Sequence, residues 1–147
     1  LTTTLPKGGD SIAVLWGPKR TAFANPANTF EKRGMPFTFS HDAPITPIPS
    51  VLALVDAGVN RVSASGKVLG PDERVTPYVG LRAVTAMAAY QIKEEKTKGT
   101  LETGKLADLV VLEKNPLKVD PASIKTIQVV ETIKEGTTVY KLGTSKP

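Results

Sequence analysis

A chain of 147 residues with 40% apolar and 22% charged residues can bury one core and has the balance of a folded domain. Its net charge of +5 is spread from Lys7 to Lys146, with Lys19-Arg20 and Lys32-Arg33 as the tightest pairs, whereas a nucleic-acid surface would cluster such side chains. The absence of cysteine removes disulfides, cysteine zinc sites and cysteine nucleophiles, and no apolar run approaches the ~18 residues of a membrane span.

The opening, Leu1 to Gly8, reads as polar and irregular and has neither the basic start nor the apolar core of a secretory signal. It begins on leucine rather than methionine, as expected of a piece of a longer protein. The chain continues through Ile12-Ala-Val-Leu-Trp16. Asn25 and Pro26 then read as the N-cap and first residue of a helix, with Gly34 as its stop. Pro36-Phe-Thr-Phe-Ser40 predicts a short aromatic strand ending at His41-Asp42.

The clearest amphipathic helix is predicted over 48–62, where Ile48, Val51, Leu52, Val55, Val59 and Val62 fall on one face. Strand, polar turn and helix make the half-unit from which α/β barrels are assembled. After a loop over 63–73, Thr76 and Pro77 read as the cap and first residue of a second helix, over 77–92. That helix is apolar almost all round and demands cover on most sides. Charged Lys93-Glu-Glu-Lys-Thr-Lys98 marks a boundary, dividing the chain into 1–92 and 93–147. Beyond it the pattern is β: turns at Gly99 and Gly104-Lys105, then strands over 109–112, 127–133 and 137–142, with Glu135-Gly136 as a tight hairpin turn.

Few residues invite chemistry. Asp42 ends the predicted strand, and the C-terminal end of a barrel strand is where a carboxylate can serve an active site. Taken by themselves, the residues around Asp42 suit a helix cap or an Asx turn beside Pro44 better. His41, the one histidine of the chain, should point away from Asp42's side of an alternating strand, and reads as a packed or surface imidazole. Ser63, Ser65 and Ser123 lack a Gly-x-Ser-x-Gly setting and a histidine partner. Trp16 reads as a core or interface aromatic rather than a pocket wall. Arg74 and Lys105 read as surface or structural.

Longer words carry a family resemblance. Phe39-Ser-His-Asp-Ala-Pro-Ile45 comes first, then Ser65-Gly-Lys-Val-Leu-Gly-Pro-Asp-Glu-Arg-Val-Thr76 and Ala83-Val-Thr-Ala-Met-Ala-Ala-Tyr90. Gly99-Thr-Leu-Glu-Thr-Gly-Lys-Leu-Ala-Asp-Leu-Val-Val-Leu112 and Thr132-Ile-Lys-Glu-Gly-Thr-Thr-Val-Tyr140 complete the series. In this order they resemble the tail of amidohydrolase family 3, the group of D-aminoacylases and N-substituted formamide deformylases, over residues 8–142. The implied fold class is α/β plus β. Its first part is the C-terminal fragment of a (β/α)8 barrel, the last one or two β/α units, within 1–92. Strands of the small composite β-sandwich domain follow within 93–147. A whole barrel takes about 250 residues.

The resemblance also implies an activity: hydrolysis of an amide-type C–N bond by metal-activated water. Zinc or another divalent metal would be the cofactor, and Asp42 a metal ligand that acts as general base and then acid. It implies as partners the N-terminal remainder of the same enzyme, a small-molecule amide substrate and further copies in a homo-oligomer, with no nucleic acid and no membrane span. Asp108, within the Ala-Asp pair, belongs by the same likeness to the β-sandwich and should bond backbone at a strand start. Two departures matter. The family commonly reads His-Ser-Asp where this chain reads Ser40-His41-Asp42, and its His-x-His pair, bridging residue and later histidines have no counterpart here. A catalytic zinc normally takes three protein ligands, so the chain alone is expected to bind no metal and to be inactive. The rival reading is a non-enzymatic β-rich interaction module that keeps the tail without the metal site.

Overall fold

The structure, a computed structural model, describes residues 4–41 and 50–144. Helix α1, Thr4–Ala22, takes in the opening residues that read as irregular in sequence. Packing overrides the glycine-rich pattern. Leu5 is buried with Ala24 and Leu69, Ala13 packs on this small cluster, and an added Cβ at Gly9 would lie 2.5 Å from the Leu69 side chain. The helix is broken at Gly17 (φ 75, ψ 167), just before Pro18.

Helix α2, Ala27–Lys32, forms where expected, but Pro26 rather than Asn25 takes the cap position. Asn25 adopts a left-handed backbone (φ 54), and a cap bond for the helix comes from a distant residue described below. The predicted strand at 36–40 forms no ladder, Ser40 alone lying in a β-bridge. Ladder hydrogen bonds need a neighbouring strand, and no named strand of the described residues pairs with this segment. The alternation itself is present. Phe37 and Phe39 pack on the core with ring centroids 5.8 Å apart, while Thr38 Oγ1 donates to Gln91 Oε1 at 2.6 Å.

Helix α3, Val51–Asn60, begins at Ser50, whose hydroxyl accepts from the Ala53 amide at 3.3 Å. Leu52, Val55 and Val59 of the predicted stripe are buried, whereas Val51 is 57% exposed. The single helix expected over 77–92 is instead two, α4 (Pro77–Val84) and α5 (Ala86–Gln91), separated at Thr85 (φ −126, ψ −92). Thr85 Oγ1 bonds back to Leu81 O at 2.8 Å, a habit that bends helices. Gly99 packs into the break, where a Cβ would lie 3.1 Å from Ala86 Cα. The Thr76 hydroxyl caps α4 as predicted, accepting from Val79 N at 3.3 Å. This chain supplies only part of the cover that these helices demand: Gly80, Ala83 and Ala89 are buried, whereas Tyr78 and Tyr90, and Ile92 just beyond α5, are exposed.

Strands β1 (Leu109–Leu112), β2 (Val129–Lys134) and β3 (Thr137–Lys141) form an antiparallel sheet in that order. Glu135 (φ 50) and Gly136 (φ 81) make the two-residue turn between β2 and β3, whose twist suits a hairpin. Strand β2 starts later than the predicted 127 because Ile127 turns into the core, after a 3-10 turn at Pro121–Thr126. Asp108 fastens the hairpin as a backbone-bonding residue: its Oδ1 accepts from Glu135 N at 2.9 Å and from Lys134 Nζ at 3.1 Å. The Gly136 amide in turn bonds Ala107 O at 3.1 Å.

The core gathers Ala27, Leu52, Val55, Val59, Val75, Ile124 and Ile127, so residues from beyond the charged 93–98 run complete a core begun by α2 and α3. Two buried charges hold its margin. Arg61, 1% exposed, donates from Nε to Leu69 O at 2.7 Å, from Nη1 to Asn25 O at 3.0 Å and from Nη2 to Ala24 O at 2.7 Å. Burial pulls its pKa down and the charge of Glu73 opposes that pull. Glu73, in the 3-10 turn Pro71–Glu73, supplies the missing cap of α2: its carboxylate accepts from Thr29 N at 2.9 Å and Thr29 Oγ1 at 2.5 Å. Gly70 enters that turn at φ 63, where a Cβ would crowd the Ala22 carbonyl carbon at 2.7 Å, so only glycine fits.

Two outcomes are expected. Arg61→Met leaves three carbonyls without their donor and should cost about 3 kcal/mol or more in urea unfolding; a loss below about 1 kcal/mol would contradict the tie. The second concerns Asp56, a buried residue of α3 whose Oδ1 accepts from Asn60 Nδ2 at 2.9 Å, with Lys125 Nζ 4.0 Å from Oδ2. Desolvation raises its pKa above the ordinary 3.8, with Asn60 and Lys125 offsetting only part. The fold therefore favours the protonated carboxyl, and this group's contribution is most favourable below 3.8 and is lost as pH rises through the folded value. The stability of Asp56→Asn relative to the parent should be greatest at neutral pH and shrink on acidification. Unfolding curves at several pH values measure that gap, and a gap that widens in acid would refute it.

Candidate functional site

The segment 36–41 is the approach to the one predicted catalytic and metal-binding residue, Asp42, which lies outside the described residues. Phe37 and Phe39 hold the segment to the helices, Thr38 is bonded to α5, Ser40 is exposed and His41 is half-buried. Among the described residues no three His, Cys, Asp or Glu side chains come together as a group able to hold a metal ion. His41 is the sole histidine of the sequence. The described side chains therefore do not fit a divalent metal.

The serines excluded as nucleophiles prove to be fasteners. Ser63 Oγ donates to Asp10 Oδ1 at 2.8 Å, Ser65 Oγ to the same oxygen at 2.6 Å, and the Ser65 amide to Oδ2 at 3.0 Å. These bonds, Ser65 first and Ser63 second, hold the Asp10 carboxyl below its ordinary pKa. They run to a carboxylate rather than an imidazole, and they moor α1 to the loop after α3. Ser123 Oγ donates to Asp120 O at 2.7 Å within the 3-10 turn. Arg74 Nε donates to Asn60 O at 3.1 Å, and Lys105 Nζ reaches Thr100 Oγ1 at 2.5 Å, so both serve local structure at the surface.

Trp16 is 51% exposed and so is not a core residue. With Lys19, Arg20, Phe23 and Ala24 it lines an open depression beside the break in α1. Among the described residues no helix is long and apolar enough to cross a membrane. Sequence reasoning missed Asp10, Arg61 and Glu73. The available signal was the Leu69-Gly-Pro-Asp-Glu-Arg74 word itself, whose glycine, proline and paired charges describe a tight turn presenting a carboxylate.

Residues 6–140 match the model of an amidohydrolase family, family 3. The amidohydrolase YtcJ of Bacillus subtilis (strain 168) is 29% identical over 124 residues, which are 83% of this chain and 23% of that protein. The N-substituted formamide deformylase of Arthrobacter pascens is 32% identical over 83 residues, 56% of this chain and 15% of that one. An amidohydrolase structure from Thermotoga maritima MSB8 shares the fold with a TM-score of 0.57 at 19% identity, over 78% of this chain and 26% of the other. The chain thus spans about a quarter or less of the length of these relatives. The matched span takes in the Arg61 carbonyl bonds, the Glu73 cap and the Asp108-fastened hairpin alike, and the chain belongs to the amidohydrolase family.

Proposed function

We propose that this chain supplies the closing part of an amidohydrolase that cleaves an amide-type C–N bond in a small molecule, with Asp42 as its proton-transfer carboxylate. One observation carries the reading: the family match runs over 6–140 and so takes in Ser40-His-Asp-Ala-Pro44 together with the elements on either side of it. In this reading residues 1–92 are the last β/α part of a (β/α)8 barrel and 93–147 add strands to a small β-sandwich. The chain's short coverage of its relatives leaves room for the remaining barrel, which would supply most of the ligands of the divalent metal, zinc or another, that such an enzyme uses.

Asp42 would take a proton from the attacking water as the C–O bond forms, then return it to the departing nitrogen as the C–N bond breaks. The carboxylate needs freedom to bind and release that proton, which a group at the mouth of a barrel strand has.

In the full-length product of the encoding gene, Asp42→Asn should lower turnover of N-formyl or N-acyl amines by about 10²–10⁴-fold. The fold should survive, since asparagine caps a helix as well as aspartate does. A variant that keeps more than about a tenth of parental turnover would make Asp42 a structural cap. The 147-residue chain alone should hold no stoichiometric zinc after dialysis and hydrolyse none of these amides; tight one-to-one zinc together with turnover would overturn the division of labour.

A further inference from the structure

We infer that the ridge Val14-Leu15-Trp16 of α1, together with Phe23, is the seam by which this chain packs on the rest of its own polypeptide; this rests on the chain being the closing part of a larger amidohydrolase. Helix α1 spends one face on its own chain. Leu5, Gly9 and Ala13, spaced by four, turn toward the Leu69 cluster, and Asp10 beside them is bonded to Ser63 and Ser65. The residues that follow have no such place. Val14 is 85% and Leu15 79% exposed, and Trp16 and Phe23, both exposed, line one open depression with Lys19 and Arg20. Single exposed apolar side chains are ordinary, whereas a cluster of this kind marks a surface made for contact. Its make-up is that of an interface, an apolar and aromatic centre with a cationic rim.

Chain length names the occupant. The chain spans 23% of the Bacillus relative and 26% of the Thermotoga structure, so about three quarters of such an enzyme has to pack on what this part leaves uncovered. As the closing part, the chain receives that remainder at the start of α1. From Thr4, where α1 begins, to Val14 is about 15 Å along a helix. A partner tethered so close acts at an effective concentration of about millimolar, against which a second copy or a lipid surface would have to compete. The tethered remainder therefore takes the ridge.

The test uses the full-length product of the encoding gene. Leu15→Cys puts a thiol on the ridge and Lys96→Cys puts one at an exposed polar position. Each is labelled with a maleimide, and its rate is divided by that of the same protein in urea. A covered thiol reacts only when its surroundings open, so position 15 should label at least about tenfold more slowly than position 96. With the photocrosslinker p-benzoylphenylalanine in place of Phe23, irradiation should join this position to peptides upstream of Leu1 in the same polypeptide. Equal rates at the two positions, crosslinks that join two copies, or none at all would overturn the inference. Protection that appears only on vesicles of phosphatidylglycerol would overturn it too. Turnover of N-formyl or N-acyl amines is read in the parental protein. Turnover with an uncovered ridge refutes the seam and leaves the amidohydrolase reading; an upstream crosslink in protein that cleaves none of these amides refutes the activity and leaves the seam. Should Leu15→Cys fail to fold, the crosslinks from position 23 decide alone.

Discussion

The structure depends on one buried guanidinium. Arg61 collects the carbonyls of Ala24, Asn25 and Leu69, three points on two separate pieces of chain, and no apolar side chain could satisfy them. Its rigid fork suits the task, because five donors in one plane can serve several acceptors without losing much further freedom. The end of α1, the start of α2 and the turn after α3 are thereby held at one place. Glu73 then finishes α2 by standing where a cap residue is missing, and its charge favours the cationic form of Arg61 in a site where burial opposes it. Asp10 does the same for the body of α1 through Ser63 and Ser65. Three polar side chains, together with the packing of Leu5 and Ala27, locate the N-terminal helices.

That arrangement explains what could be read from the residues and what could not. The stripe through Leu52, Val55 and Val59, the Thr76–Pro77 cap and the Glu135-Gly136 turn are local signals, set by neighbours three or four positions away, and the structure carries them as expected. Helix α1 was illegible because its glycines argue against a helix while its packing on Leu69 argues for one. The break at Thr85 was illegible for a related reason. It answers to Gly99, fourteen residues away and outside any helical window. Arg61 reads as solvent-facing because an arginine after a helix usually is, and only its long-range carbonyl partners show otherwise.

The candidate site divides along the same line. Asp42 was legible only through a family word, since a carboxylate between an aromatic strand and a helix serves a cap as readily as a proton shuttle. The surroundings add the Phe37–Phe39 pair, packed on the core. Ser63 with Ser65 and the Ala107-Asp108 pair, which have no catalytic setting in the sequence, fasten loops. Much of the family's recognisable sequence here is therefore the chemistry of holding turns in place.

The Asp108 tie also guards the register of the sheet. The turn at Glu135-Gly136 closes a hairpin from neighbouring residues, whereas the bond from the Glu135 amide to Asp108 spans 27 residues and closes a much longer loop. Asp108 holds both that turn amide and the Lys134 ammonium that ends β2, so a slip of β1 by one residue, which would turn every side chain to the wrong face, would break both bonds.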